Sequence, residues 1–305
     1  MLIIGSHVSF GKDQILGALE EALSYEENTF MFYTGAPTNT IRKDIDPENV
    51  QKAKELMKEN NIDINNVICH APYIVNLGSK SDLDKWNFSI NFIRGELARC
   101  DKMGITKMVL HPGNAVGITP EEGIENIIEA VNQILDGTTK CKILFETMAG
   151  KGTECGRTID EVAKLVKGIK KQDQIAVCLD TCHLFDGGYD LTNFDDYLDE
   201  FDSKIGIKYI ECVHINDSKN ELGSHKDRHA NIGIGNIGFD TLLNVIYNER
   251  LDNIPKILET PYIGDTDDSK ERLYPPYKYE IRMIRDKKYD PEFLNKTREE
   301  YKSHE

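Results

Sequence analysis

The sequence predicts a single-domain α/β protein, a (β/α)8 TIM barrel that takes in residues 1–305, and three observations carry that prediction. First, six apolar runs each end on a side chain able to bind divalent metal. They are NVICH ending at His70, KMVLH at His111, KILFE at Glu146, IAVCLD at Asp180, YIECVH at His214 and PKILE at Glu259. Second, the gaps between those ends are 41, 35, 34, 34 and 45 residues, each about the length of one strand plus one helix. Third, no linker or low-complexity stretch divides the chain, and the units differ too much from one another for a solenoid. The carboxyl ends of barrel strands converge on one face, so the pattern predicts three His and three acids in one small volume.

The elements follow in order. Leu2–Ser6 reads as the first strand. A helix over about Lys12–Ser24 carries Ile15, Leu16, Leu19 and Leu23 on one face. Thr29–Tyr33 is the second strand, followed by a polar loop, TGAPTNTIRK (34–43). Asp46 with Pro47 is an N-cap followed by proline at the first helical position, opening a helix to about Asn60. The third strand ends at His70. Ser81 is expected to cap a long helix to Met103, closed by Gly104. The fourth strand ends at His111, and Thr119-Pro120-Glu121-Glu122 opens a helix with acids in its first turn. The fifth strand ends at Glu146, and Thr158 opens a helix over about Ile159–Ile169. The sixth, seventh and last strands end at Asp180, His214 and Glu259. After about residue 262 a Tyr/Pro-rich segment, LYPPYKYEIRMI, leads into a terminal helix as an extension packed on the barrel.

Composition narrows the function classes. With 39% hydrophobic and 29% charged residues the chain is ordinary for a soluble protein, and no run of eighteen apolar residues predicts a membrane span. The start, MLIIGSHVSFGK, reads as a strand and not as a signal peptide. Seven Cys without a C-x-x-C pair point to free thiols in a reducing, intracellular, cytoplasmic setting. Cys69, Cys178 and Cys212 lie inside the apolar runs and are expected in the core. A net charge of −15 argues against nucleic-acid binding, because phosphate contacts supply much of that affinity.

Three further ligand types lie close to the strand ends: His183 in DTCH, and Asp227 with His229 in KDRHANIG. In an extended segment i and i+2 point the same way, so Asp227 and His229 are expected to grip one metal together. One zinc ion takes about four ligands, so nine ligands suit three ions with one carboxylate bridging. A His-rich set with carboxylates favours Zn2+, with Mn2+ substituting at one position. His7 is placed near the site mouth, His225 in solvent and His304 in the tail. NIGIGNIGF (231–239) matches no phosphate-binding fingerprint and is read as a tight loop passing near the metals.

GSHVS, CHAPY (69–73), HPG (111–113), FET (145–147), LDTCH (179–183), HINDSK (214–219), DRHANIG (227–233) and LETP (258–261) together resemble endonuclease IV, the zinc-dependent apurinic/apyrimidinic endonuclease family. The resemblance runs through essentially the whole chain. It implies a monomeric barrel with three zinc ions: His70, His111 and Glu146 on the first, Glu146, Asp180, His214 and Glu259 on the second, and His183, Asp227 and His229 on the third. Glu146 and Glu259 are the implied catalytic carboxylates. The implied reaction is hydrolysis of double-stranded DNA 5′ to an abasic site, leaving a 3′-hydroxyl and a 5′-deoxyribose phosphate, together with removal of 3′-blocking groups. The nucleophile is a metal-activated hydroxide.

By position in the motif, Tyr73 and Ile74 match the family's minor-groove wedge, with Arg42 and Arg228 as further DNA-facing candidates. Three Zn2+ would move the formal charge from −15 to about −9. Arg42, Lys43, Lys80, Lys151, Arg157, Lys219, Lys226 and Arg228 are expected to make a positive face on an acidic body. The alternative is a single-metal sugar isomerase or epimerase on a xylose-isomerase-like barrel. It would need only Glu146, Asp180, His214 and Glu259.

Overall fold

A computed structural model describes residues 1–303, so His304 lies outside the described residues. Eight parallel strands form one sheet in the order β1 (Ile4–Ser6), β10 (Lys256–Leu258), β7 (Ile210–Ile215), β6 (Ile175–Asp180), β5 (Lys142–Glu146), β4 (Lys107–Leu110), β3 (Ile68–His70) and β2 (Met31–Phe32). A parallel bridge between His7 and Met31, with Val8 N donating to Met31 O at 2.8 Å, brings β1 against β2 and nearly closes the barrel. Each barrel strand therefore neighbours the next in sequence. The one interruption is a short antiparallel hairpin, β8 (Asp217–Ser218) and β9 (His229–Ala230), between β7 and β10.

The helices fall between the strands: α1 (Gln14–Ser24), α2 (Pro47–Glu59), α3 (Leu83–Met103), α4 (Pro120–Ile134), α5 (Ile159–Gly168), α6 (Thr181–Asp186), α7 (Phe194–Lys204) and α8 (Phe239–Ile246). Local chemistry sets several starts. Asp46 accepts from Glu48 N and Asn49 N ahead of Pro47. Thr119 and Glu122 form a reciprocal capping box. Asp82, not Ser81, caps α3, its carboxylate accepting from Lys85 N at 3.1 Å, because a carboxylate at that position outcompetes the serine one residue earlier. The first two strands are shorter than expected. The Asn28 side chain bonds Ile4 N and Leu2 O in place of a strand partner. Nearby, a Cβ on Gly5 would sit 1.9 Å from Thr29 O, so only glycine lets the chains approach there.

The C-terminal extension holds two helices where the sequence pattern predicted one: α9 (Tyr277–Asp286) and α10 (Phe293–Lys302). Lys287, at φ 52°, breaks them apart. The Tyr277 ring lies 5.7 Å from that of Tyr25, at the end of α1, which sets α9 on the barrel wall. No helix among the described residues is long and apolar enough to cross a membrane.

Two cores result. The larger one fills the space between strands and helices. The smaller one is the barrel lumen: Met31, Ile68, Val109, Leu144, Ala176, Cys178, Cys212 and Ile257, all fully buried. Side chains alternate along a strand, so residues two apart share a face. Ile68, Val109, Leu144, Cys178, Cys212 and Ile257 lie two positions before His70, His111, Glu146, Asp180, His214 and Glu259. The apolar lumen is the layer directly beneath the six strand-end ligand types. All seven Cys are free and buried.

Candidate metal centre

His70, Glu146 and Asp180 are the last residues of β3, β5 and β6. His111 and Glu259 stand one residue beyond β4 and β10, and His214 is next to last in β7. His183 rides on α6, while Asp227 and His229 come from the hairpin excursion. The fold brings all nine together at the carboxyl mouth of the barrel.

Glu146 is the hub. Its Oε2 lies 3.1 Å from Nε2 of His70 and 3.1 Å from Nε2 of His111. Its Oε1 lies 3.2 Å from Nδ1 of His214, which in turn is 3.2 Å from Glu259 Oε2 and 3.7 Å from Asp180 Oδ2. On the far side, Asp227 Oδ1 is 3.1 Å from His183 Nε2 and 3.3 Å from His229 Nε2. Ligands about 2.0–2.1 Å from a tetrahedral zinc stand about 3.3 Å apart, so these separations, which also suit direct hydrogen bonds, leave the donors spaced to take a cation. His70, His111 and Glu146 form one compact donor group, and Glu146, Asp180, His214 and Glu259 form another. His214 Nε2 and His229 Nε2 are buried without an aligned hydrogen-bond partner. For His229 that nitrogen is the one turned toward Asp227 and Asp180, as a metal ligand requires.

The surrounding chain aims these donors. Backbone carbonyls sit against the opposite ring nitrogen of three imidazoles: Ala71 O by His70 Nδ1 at 2.6 Å, Thr147 O by His183 Nδ1 at 2.9 Å and Glu259 O by His229 Nδ1 at 3.2 Å. A proton held on Nδ1 by a carbonyl leaves Nε2 free to coordinate. Asn216 donates to Asp180 Oδ2 at 2.8 Å and accepts from Glu259 N at 2.9 Å, joining two ligands through one amide. Asp180 Oδ1 caps α6 by accepting from His183 N at 2.8 Å, so one carboxylate fixes the next ligand and faces the site with its other oxygen. Asp227 is not extended as the D-x-H spacing suggested. It has φ 58°, held there by Asp186 Oδ2 accepting from Asp227 N at 2.8 Å, and it still meets His229.

With protons as the only cations, the site titrates as coupled imidazole–carboxylate pairs. Burial would raise Glu146 and Glu259, but facing imidazoles hold both well below the usual carboxylate range. Burial would lower His183 and His214, yet the adjoining carboxylates and, for His214, Cys178 push both well up. His229 is likewise pushed up to about 9, Asp227 and Asp180 outweighing burial. Burial prevails at His70, which is lowered, and at Asp180, which is raised. An incoming cation replaces protons that the carboxylates already attract.

Comparison with known proteins agrees with this geometry. Residues 19–287 match the family described as xylose isomerase-like TIM barrel. The chain is 48% identical over 298 residues to a protein named probable endonuclease 4 from Bacillus subtilis, with 97% of this chain and 99% of that one covered. It is 50% identical over 300 residues to a protein of the same name from Acholeplasma laidlawii, at the same coverage. The chain belongs to the endonuclease IV family. Its fold also superposes on the crystal structure of endonuclease IV from Thermus thermophilus, with TM-score 0.76, 30% identity, and 93% of this chain and 97% of that one covered. A D-tagatose 3-epimerase-like protein shares the barrel alone, at TM-score 0.64 and 18% identity.

The loops around this endonuclease IV centre sort the remaining sequence candidates. Tyr73 and Ile74, just after β3, are 55% and 46% exposed, open to solvent at the mouth. Arg42 is mostly withdrawn from solvent, its side chain 10% exposed. Its guanidinium bonds Glu96 at 2.8 Å and the carbonyls of Asn39 and Ile41, and it lies over the Phe92 ring. It braces the 34–43 loop, and Ile41, 77% exposed, is the side chain that loop presents. Arg228 is exposed, and no ion pair involves it among the described residues.

The basic face is smaller than expected: Lys80 is paired with Glu129 and Arg157 with Glu161. Burial and the neighbouring charges of Arg272 and Arg228 lower Lys219, which places Arg272 beside the hairpin; sequence reasoning had passed it over. His7 stands at the mouth as expected, its Nδ1 3.4 Å from Glu259 Oε1 and its ring 4.4 Å from that of Tyr33. His225 is not merely solvated, since its Nδ1 lies 2.7 Å from Ala149 O. The glycine-rich loop wraps the buried Asp217 carboxylate, which accepts from the N–H groups of Gly233, Gly235, Ile237 and Gly238. A Cβ on Gly235 would lie 2.4 Å from Asp217 Oδ1.

Proposed function

We propose that this chain is a DNA-repair hydrolase that cleaves the phosphodiester 5′ to abasic sites in duplex DNA and clears blocked 3′ ends, with three zinc ions held by the nine mouth residues. The carrying observation is Glu146. Its two carboxylate oxygens face different imidazole sets, at distances that suit a bridge between two cations. His70 and His111 would hold the first ion, with Glu146 as bridge. Asp180, His214 and Glu259 would complete the second, and His183, Asp227 and His229 would hold the third; Mn2+ suits the same donors at one position. Zinc in such a cluster lowers the pKa of water and neutralises charge that develops on phosphate oxygens.

The protein's own contribution is orientation and exclusion. The apolar lumen closes the floor beneath the ligands, and carbonyls and Asn216 fix the donors. His7 and Tyr33 wall one side of an open cavity of about 280 Å³ at the mouth. Tyr73 and Ile74 would wedge into the minor groove beside a nucleotide that has no base to unstack. Exposed Arg228, with Lys219 and Arg272 beside it, offers the local positive field that a chain of net charge −15 needs to hold a phosphate backbone. The free buried thiols fit a reducing, cytoplasmic setting, and the chain is taken to act as a monomer.

The single-metal sugar isomerase reading leaves His70, His111, His183, Asp227 and His229 without a task. The test is elemental analysis together with incision of a duplex bearing one abasic site. About three zinc per chain, with incision abolished by chelation and restored by zinc, supports the proposal. One metal per chain and an intact duplex would overturn it.

A further inference from the structure

Glu280 is fully buried on α9, an element that supplies no ligand to the centre. Carboxylates are almost never fully buried without a partner. No cation lies within ion-pair distance of Glu280 among the described residues. It is satisfied by three neutral donors instead. Oε1 accepts from Ile232 N at 2.9 Å and from Asn231 Nδ2 at 3.2 Å, and Oε2 accepts from the Thr260 hydroxyl. Asn231 and Ile232 follow His229 by two and three residues, and Thr260 follows Glu259 by one.

We infer that Glu280 is a positioning residue for the metal centre: its carboxyl clamps the two segments that directly follow His229 and Glu259 to the C-terminal extension. The inference rests on the proposed zinc assignment. Neighbouring bonds repeat the same tie. Tyr277 OH, one turn earlier on α9, donates to Thr260 O at 3.1 Å, and Asn231 Nδ2 also donates to Pro261 O at 2.9 Å. The two segments touch directly where His229 Nδ1 meets Glu259 O at 3.2 Å.

The need for such a clamp follows from where the ligands sit. His70, Glu146, Asp180 and His214 lie inside barrel strands, whose ladders fix them. Asp227 and His229 hang on a hairpin of two-residue strands, and Asp227 has a left-handed backbone. A residue that only pinned α9 to the barrel would not need every donor to come from the segments that follow two ligands.

The experiment compares zinc-loaded full-length wild type, Glu280→Leu, Glu280→Gln and Ile127→Ala. Ile127 is fully buried on α4 and serves as a stability control. Zinc retained per chain is followed during a timed chelator challenge, alongside each thermal midpoint. Glu280→Leu should release the two zincs that Glu259 and His229 would hold roughly 10- to 100-fold faster than wild type while keeping the one on His70 and His111, the range typical when a ligand's supporting hydrogen bond is lost. Glu280→Gln keeps an oxygen for Ile232 and Asn231 and turns an amide toward the Thr260 hydroxyl, so it should stay close to wild type. Ile127→Ala should lower the midpoint with no selective zinc loss.

Should Glu280→Leu not fold, Thr260→Val removes one donor and should speed release of the zinc that Glu259 would hold. Wild-type release from Glu280→Leu, or equal loss from Ile127→Ala at a matched midpoint, overturns the inference. One zinc in wild type would instead sink the metal assignment on which it rests.

Discussion

The two ends of the barrel are built from the same strands and do opposite things. β4 runs from Lys107 toward His111, β5 from Lys142 to Glu146, and β7 carries both Glu211 and His214. At the amino end, Lys142 Nζ lies 2.5 Å and Lys107 Nζ 3.5 Å from the Glu211 carboxylate. Glu211 is free to turn there because the β6–β7 register shifts between Val177 and Cys178, skipping it in the ladder. That end is a small ion cluster whose charges already have partners. At the carboxyl end, imidazoles and carboxylates crowd around Glu146, and His229 Nε2, turned toward Asp227 and Asp180, has no aligned hydrogen-bond partner. The difference teaches where to look for chemistry: charges that satisfy one another plug a barrel, and donors that leave one another unsatisfied await a cation.

Mutations at each end test that contrast. The largest expected effect is at the mouth. Glu146→Gln removes the shared carboxylate and should lower abasic-site incision by about 10³-fold or more. The thermal midpoint of its metal-depleted form should move far less, since the base cluster and lumen stay intact; equal loss of folding would erase the distinction between the ends.

Next comes pH. The proton-loaded His229 titrates at about 9, above the free-imidazole value of 6.5, so between those values it binds a proton that zinc must displace. Zinc affinity should rise with pH across that window, by about tenfold per unit for each proton released, and isothermal titration in buffers of different ionisation enthalpy counts the protons. A flat profile would mean that the imidazoles are already neutral.

Truncating the proposed wedge, as Tyr73→Ala with Ile74→Ala, should raise KM for abasic duplex by about tenfold and leave zinc content unchanged. The smallest effect belongs to the base. Glu211→Gln leaves two partly exposed lysines facing an amide, worth only about 1 kcal/mol after screening by solvent. A lower midpoint with unchanged incision is the expected pair of readings. A matching fall in incision would show that the two ends are not independent.

Much of this was legible in the residues alone. A strand, its terminal ligand and the apolar side chain two positions earlier are neighbours in sequence, so the order of barrel strands and their six ligand ends could be read directly. The bounds of β1 and β2 could not, because the Asn28 side chain, 24 residues from Ile4 in sequence, substitutes for a strand partner there. Arg42, named from its polar loop as a DNA-facing candidate, is braced by Glu96, 54 residues away on α3, a pairing no local pattern encodes.

By itself the sequence determined the barrel, because strand alternation and the strand–helix period act over a few residues to a few tens, and its motifs carried the family resemblance and named the nine candidate donors. Only the tertiary structure decided which nitrogen of each imidazole faces the centre, that Asp227 works from a left-handed backbone, and that Glu280 reaches the segments behind two ligands. Those outcomes depend on hydrogen bonds between residues distant in the chain, whose meeting no local pattern encodes.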